Sequence, residues 1–305
     1  MLFRSRNRIA RLTTSGAFDA TFSMGTGFNS TVNSLILQLD GKILVAGAFT
    51  SYNGTTRNRV VRINTNGTTD ATFSIGTGFN NTVNALALQT DGNILAGGSF
   101  TSYNGVARNR FLRVLSSGAV DQTFNVGSGA NSTVLSVAIQ ADNMILVSGD
   151  FTTFNGISYN RLARLLINGS IDNTLYLGTG ANGSIKSVKI QNDHKIIISG
   201  DFSQYNGNVK TRIVRLNSCP ITYSTLNVIA CNSYTLNSKV YIESGTYTQT
   251  LTNSFGCDSI ITLNLTISKV SANATVNYPI CLGDSIKLTA NVAGEIGRAS
   301  CRERV

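Results

Sequence analysis

Few residues of this 305-residue chain are of types that do chemistry, and most of those recur at one fixed step. Asp19, Asp70, Asp121 and Asp172 stand 51 apart, each two places before a Thr. A carboxylate so placed accepts hydrogen bonds from backbone N–H groups and closes a turn. As calcium ligands they fall short, because one acid per unit cannot supply the roughly 6–8 oxygens that calcium takes. Arg59 and Arg62, Arg110 and Arg113, and Arg161 and Arg164 keep the same step. Read as strand residues three apart, the members of each pair point to opposite faces. One of them can stack on the ring of Tyr52, Tyr103, Phe154 or Tyr205 or pair with a repeat Asp. The other can line a surface for acidic glycans. Packing is the better reading, since a functional site seldom needs the same residue in every repeat. Gly25-Thr-Gly27 and its copies imitate a phosphate loop but lack the third Gly and the helix, which leaves a turn.

Departures from the repeat are better candidates for binding than its constants. Asp150 and Asp201 stand where earlier copies have Ala48 and Ser99, and Tyr159 and His194 also break the pattern. Two carboxylates can serve glycoside hydrolysis, but these occupy equivalent places in adjacent units, where drift is the simpler cause. With 1 His in the chain, His-dependent catalysis and metal binding are not expected. The expectation is a protein that is not an enzyme, with no catalytic residue, no cofactor, no metal site and no nucleic-acid partner. Of the 5 cysteines, Cys231 and Cys257 bracket a Thr/Tyr/Ser-rich stretch with no zinc-type spacing, and a disulfide between them is expected.

The elements that must position these residues are strands. Hydrophobic residues make up 42% and charged residues 13%, against about 25% charged in an average globular chain. Gly, Asn, Thr and Ser fill the difference, a vocabulary of turns and strands. The net charge of +10 comes from 25 Lys+Arg against 15 Asp+Glu, spread at repeat spacing rather than clustered as a nucleic-acid face would be. No apolar run reaches the roughly 18 residues of a membrane span.

Four units of 51 residues follow one another without insertion. Within one unit, Asn109–Leu115, a short strand or turn entry at Asp121–Phe124, alternating Thr133–Gln140 and apolar Met144–Gly149 give four strand signals. In Thr133–Gln140, Leu135, Val137 and Ile139 share one face. Asp40-Gly41 and Asp91-Gly92 are hairpin turns; Asp142-Asn143 and Asp193-His194 are weaker versions. Four short antiparallel strands in about 40–50 residues describe a β-propeller blade. The fold class is therefore all-β, with four blade repeats over residues 6–217. Asn7–Leu12 repeats the strand type of Thr211–Leu216, giving five copies of that strand and four of each other kind. An open arc cut from a longer array is expected, liable to associate through its first unit.

Phe18-Asp-Ala-Thr-Phe22, Gly25-Thr-Gly-Phe-Asn29, Gln38-Leu-Asp-Gly-Lys-Ile43, Gly47-Ala-Phe-Thr-Ser-Tyr-Asn-Gly54 and Asn58-Arg-Val-Val-Arg-Ile63 resemble the delta-60 repeat propellers of secreted bacterial proteins, frequent in Bacteroidetes. The resemblance implies a propeller at the cell surface and supplies no catalytic residue. Residues 221–268 are similar to small Cys-containing β repeats of surface adhesins. Residues 269–294 resemble the start of an immunoglobulin- or PKD-like sandwich, with too few strands to close it. Residues 295–305 resemble a translated adaptor, and residues 1–5 have the same look, so both ends are set aside as non-native. Asp258-Ser-Ile260 and Asp284-Ser-Ile286 match a short O-glycosylation pattern of the same bacteria.

Together these features lead to a non-catalytic, secreted or cell-surface propeller acting in adhesion or ligand display, its partner a surface glycan or protein. The competing function is a glycan-binding or glycan-processing propeller whose active part lies outside this sequence.

Overall fold

A computed structural model describes residues 8–175, 177–217, 222–252 and 258–268. The chain divides into two compact units, Met1–Pro220 and Ile221–Val305. The 269–294 segment and both ends set aside above lie outside the described residues.

Unit 1 repeats one plan four times. Blade 1 holds β1 (Val32–Leu37), β2 (Ile43–Gly47), β3 (Ser51–Tyr52), β4 (Thr55–Thr56) and β5 (Val60–Ile63). Blade 2 holds β6 (Val83–Leu88), β7 (Ile94–Gly98), β8 (Ser102–Tyr103), β9 (Val106–Ala107) and β10 (Phe111–Val114). Blade 3 holds β11 (Val134–Ile139), β12 (Ile145–Gly149), β13 (Thr153–Phe154), β14 (Ile157–Ser158) and β15 (Leu162–Leu165). Blade 4 holds β16 (Ile185–Ile190), β17 (Ile196–Gly200), β18 (Gln204–Tyr205), β19 (Asn208–Val209) and β20 (Ile213–Leu216). The sheets run β1-β2-β5, β6-β7-β10, β11-β12-β15 and β16-β17-β20, all antiparallel. The fourth place in blades 1–3 is reduced to a single bridge, such as Ile63 to Thr69 or Val114 to Val120.

The turn chemistry agrees with the hairpins. Gly41 sits at φ 80°, and Asn143 and His194 take the same left-handed place at 65° and 63°. Gly47 is required for a different reason. A bulge between Val32 and Ser34 presses β1 onto β2, and a Cβ on Gly47 would lie 2.0 Å from the Thr31 carbonyl. The matching bulge between Val134 and Ser136 takes Leu135 out of the alternation, so Val134, rather than Leu135, shares the buried face with Val137 and Ile139.

The core is a stack of interfaces between consecutive blades. Ile36, Leu44, Ala46 and Val60 of blade 1 pack against Val83, Leu86, Ile94 and Val114 of blade 2. Ala87, Leu95 and Phe111 meet blade 3, and Ala138, Leu146 and Leu162 meet blade 4. Each blade thus has an upstream face toward its predecessor and a downstream face toward its successor. The sheets do not close into a ring of four. Leu35 and Leu37 on the upstream face of blade 1 are 58% and 68% exposed, whereas Leu86 at the matching place in blade 2 is 8% exposed. On the downstream face of blade 4, Lys186 and Lys189 are exposed and Ile213 is 62% exposed.

Two local expectations change, and one open alternative is decided. Ile9–Arg11 form no ladder, unlike β5, β10, β15 and β20 of the same sequence type, because no β2-type strand lies beside them among the described residues. Arg59, Arg110 and Arg161 are not strand residues. They sit at φ 64–73° just ahead of β5, β10 and β15. Asp121–Phe124 is a turn, not a strand.

Unit 2 contains β21 (Thr222–Cys231), β22 (Tyr234–Leu236), β23 (Lys239–Tyr241), β24 (Gly245–Thr252) and β25 (Asp258–Ser268). β25 is central, parallel to β21 and antiparallel to β24, and Leu263, Leu265 and Tyr241 form a small core.

Candidate functional site

The repeated polar residues are consumed by the scaffold. Arg62 Nε donates to Asp70 Oδ2 at 2.7 Å, its Cζ lies 4.7 Å from the Phe73 ring centroid, and its terminal nitrogens reach Ser116 O and Thr72 Oγ1. Asp70 Oδ1 accepts from the N–H and hydroxyl of Thr72 at 2.9 and 2.8 Å. Arg113 with Asp121 and Phe124 repeats this arrangement, and Arg164 with Asp172 repeats the ion pair. Each Arg therefore stacks on or pairs with residues of its own Asp-x-Thr turn, not with the Tyr52 series. The second Arg of each repeat also serves the backbone: Arg59 donates to Ala48 O, Arg110 to Ala130 O and Arg161 to Asp150 O. The repeat Asp carboxyls are held as turn acceptors.

The ionisation states follow from this packing. Burial pushes the Asp172 carboxyl up, but bonds from the Thr174 N–H and hydroxyl and from Arg164 outweigh it, leaving it below the usual carboxylate range. Asp70 and Asp121 are lowered through the same balance. Burial pushes the Tyr52 and Tyr205 phenols up to about 12. Tyr52 and Tyr103 donate to the Gly67 and Gly118 carbonyls at 2.5 and 2.6 Å, tying the β3 and β8 hairpins to distant turns.

A role not legible in sequence belongs to Asn29, Asn80, Asn131 and Asn182. Asn29 Oδ1 accepts from Thr50 N and Ser51 N at 2.8 and 3.0 Å, and the other three repeat the bonds. Asn53 Oδ1 then accepts from Thr26 N in the Gly25–Gly27 turn. Strict recurrence was the available signal, but it does not name the partner 21 residues away.

The residues that break the repeat do not converge. Asp201 follows the C-terminal end of β17 and pairs with Lys186 at 2.7 Å, both side chains more than half exposed. His194 occupies the turn before β17, so about 20 Å of extended chain separates the two. Tyr159 lies partly buried between the cores of blades 3 and 4, and its hydroxyl donates to Asn173 Oδ1 at 3.0 Å. Asp150 belongs to blade 3, in the place that Asp201 holds in blade 4. A cleft of about 390 Å³ opens between the first hairpin turns of blades 1 and 2, lined by Leu39, Asp40, Leu88 and Gln89, and contains none of the four. Among the described residues no three His, Cys, Asp or Glu side chains form a metal-sized cluster, and no helix is long and apolar enough to cross a membrane.

Cys231 is disulfide-bonded. Cys257 lies outside the described residues, but Asp258, its covalent neighbour, opens β25. The parallel register sets Thr222 beside Ser259 and Cys231 beside Ser268. Cys231 and Asp258 are thus at opposite ends of the sheet, about 33 Å apart at roughly 3.3 Å per residue. The expected pairing of Cys231 with Cys257 falls on a residue outside the described ones.

A family model described as "Domain of unknown function (DUF5122) beta-propeller" matches residues 3–22, 38–73, 89–124, 140–175 and 191–218, just over half of the chain. The chain belongs to the DUF5122 β-propeller family. Its matched segments follow the 51-residue step and end where unit 1 ends. No curated protein is significantly similar to the chain. Among solved structures, the WD40 beta propeller domain of Doa1 is 19% identical, with 61% of this chain and 51% of that chain covered and a TM-score of 0.39. The extracellular domain of a putative one component system from B. thetaiotaomicron is 18% identical, with 67% and 24% covered and a TM-score of 0.41. A gluconolactonase from Xanthomonas campestris is 13% identical, with 64% and 63% covered and a TM-score of 0.40. The chain spans about half of the first of these and about a quarter of the second.

Proposed function

We propose that this DUF5122 propeller is a non-catalytic scaffold of the cell exterior, displaying its loops and β modules for adhesion or ligand capture. One observation carries the reading. The repeated Asn residues of all four blades, and the Arg62, Arg113 and Arg164 series with its Asp partners, are spent on internal hydrogen bonds and ion pairs, which makes them a frame rather than a site. The disulfide at Cys231 supports an oxidising compartment, where such bonds persist. Variation then falls on exposed positions such as Asp201 and Lys186, where a display surface changes without cost to the core.

The test is retention of the purified chain on arrays of surface glycans and cell-surface proteins, with the array glycans assayed for cleavage in parallel. Saturable retention without product supports display. Turnover of any arrayed glycan by the chain would overturn it. Protease shaving of intact cells checks the location, with loss of the protein from the cell surface expected.

A further inference from the structure

Blades 1–3 each hold two arginines of opposite fate. Arg62, Arg113 and Arg164 are neutralised by Asp70, Asp121 and Asp172. Arg59, Arg110 and Arg161, three places earlier, form no ion pair among the described residues, and neither does Arg212 of blade 4. Their backbone N–H groups donate to the carbonyls of Phe49, Phe100, Phe151 and Phe202 at 2.8–2.9 Å, which fixes where each side chain starts. Arg59, Arg110 and Arg161 then spend one terminal nitrogen on a backbone carbonyl, and Nε of Arg59 and of Arg161 is buried without an acceptor in the protein. A carbonyl accepts a hydrogen bond from a guanidinium but leaves its charge uncancelled.

The sequence spreads these cations; the fold gathers them at one end of unit 1. In blade 1, Val32 pairs with Gly47 and Ala46 with Val60, so these residues share one end of the sheet, while Leu37, Ile43 and Ile63 share the other. Arg59 stands just ahead of Val60, whereas Asp40 lies in the hairpin beyond Leu37. Blades 2–4 keep this register. Like ends lie side by side, since Asn33 donates to Val83 O, Asn84 to Val134 O and the Val188 amide to Ser136 Oγ. The β3–β4 hairpin and its copies close the first end, and Arg57, Arg108 and Lys210 follow them directly, also without ion pairs. Four and three make seven cations. The acids of that end are Asp201, which is paired with Lys186, and Asp150. The opposite end carries the exposed hairpin acids Asp40, Asp91, Asp142 and Asp193.

We propose that the basic end of unit 1 binds an acidic polysaccharide, a uronate- or sulfate-bearing chain laid across successive blades. This rests on the display reading above and names its ligand class. A guanidinium recurring from blade to blade suits an anion recurring from sugar to sugar, and its planar fork takes two oxygens of one oxyanion. Exposed Thr55, Thr56 and Ser158 beside it offer partners to sugar hydroxyls. Each exposed ion pair is weak by itself, so affinity comes from several blades engaging one chain. Nucleic acid fits less well: the hairpin rings of Tyr52, Tyr103, Phe154 and Tyr205 are buried and give no stacking platform. A protein partner would need an apolar centre to its interface, and the large exposed apolar residues of this end, Ile157 and Val209, sit singly in separate blades.

The test is binding of the full chain to immobilised polygalacturonate, dextran sulfate and plain dextran, repeated as salt is raised. Saturable binding to one or both polyanions, none to dextran, and weakening with salt are expected, because exposed pairs are screened. Which polymer binds identifies the anion. Arg57→Gln combined with Arg108→Gln should weaken binding by about tenfold. Lys189→Gln combined with Lys195→Gln removes the same charge away from this end and should stay within about twofold of the parent, with circular dichroism confirming the fold of both. Equal weakening by the two double variants overturns the proposal, as does dextran bound as tightly as the polyanions. Tighter binding of a single-stranded oligonucleotide of matched charge overturns it in favour of nucleic acid. Failure to bind either polyanion, while glycan or protein arrays still retain the chain, overturns the ligand class and leaves the display reading standing.

Discussion

Asp172→Asn should destabilise the propeller far more than the same change at Asp19, although both acids occupy one place in the repeat. Both side chains of the Arg164–Asp172 pair are 1% exposed, whereas those of Arg11 and Asp19 are 35% and 21% exposed. Asparagine keeps an acceptor for the Thr174 N–H but removes the charge that faces Arg164 Nε, leaving a guanidinium buried without its counter-ion. Breaking a buried pair in this way costs about 3–5 kcal/mol. At Asp19 water and the partly exposed Arg11 share the loss, and the cost is far smaller. Asp70→Asn should lie between these, moderated by Lys42, which also reaches Asp70 at 3.1 Å.

The assay is urea unfolding of each variant, with hydrogen exchange in blades 1 and 3 to locate the effect, because repeat arrays need not unfold as one unit. Arg164→Met combined with Asp172→Asn should recover much of the loss, since removing both partners leaves no orphaned charge. Equal destabilisation at Asp19 and Asp172, or a double variant as damaged as the sum of the two singles, would refute the reasoning.

Other outcomes follow from the same geometry. Gly149→Ala should cost about 1–3 kcal/mol, because its Cβ would sit 2.1 Å from the Thr133 carbonyl, a contact only a backbone shift relieves; thermal unfolding checks it. Tyr103→Phe should cost about 1–3 kcal/mol by orphaning the buried Gly118 carbonyl, read from the urea midpoint. Leu86→Lys should unfold blade 2 locally, while Leu35→Lys leaves the stability of this chain nearly unchanged and lowers its self-association in sedimentation. The lowered carboxyls of Asp70, Asp121 and Asp172 stabilise the fold fully above their unfolded value of about 3.9, and that stability is lost as pH falls through the folded values. Acid titration followed by circular dichroism should therefore show the blade signal held at pH 5 and lost well below pH ~4.

The blade plan was legible because 51-residue recurrence exposes turns and apolar runs together, and the structure keeps both at Asp40-Gly41 and in β7. The Asp-x-Thr turns were legible for the same reason, since a carboxylate two residues before an N–H acts locally. The partners of the repeated Arg and Asn residues were not. Arg62 finds Phe73 and Ser116, and Asn29 finds Thr50, through packing between segments that recurrence cannot order. Arg59 was misplaced on a strand because its left-handed φ leaves no mark on an Asn-Arg dipeptide.

The two ends of unit 1 show how one repeat is adapted to different neighbours. Blade 4 carries Lys186 and Lys189 where blades 1 and 2 carry Asn33 with Ile36 and Asn84 with Ala87. Charge at those positions opposes the approach of another apolar blade face, much as charged edges protect open sheets from pairing. Blade 1 has no such substitution; Val32, Leu35 and Leu37 keep the pattern that blades 2, 3 and 4 bury. A face that remains apolar at every position where its siblings are covered retains the pressure of being covered. The downstream end therefore opposes an apolar neighbour by its charge, and the upstream end does not.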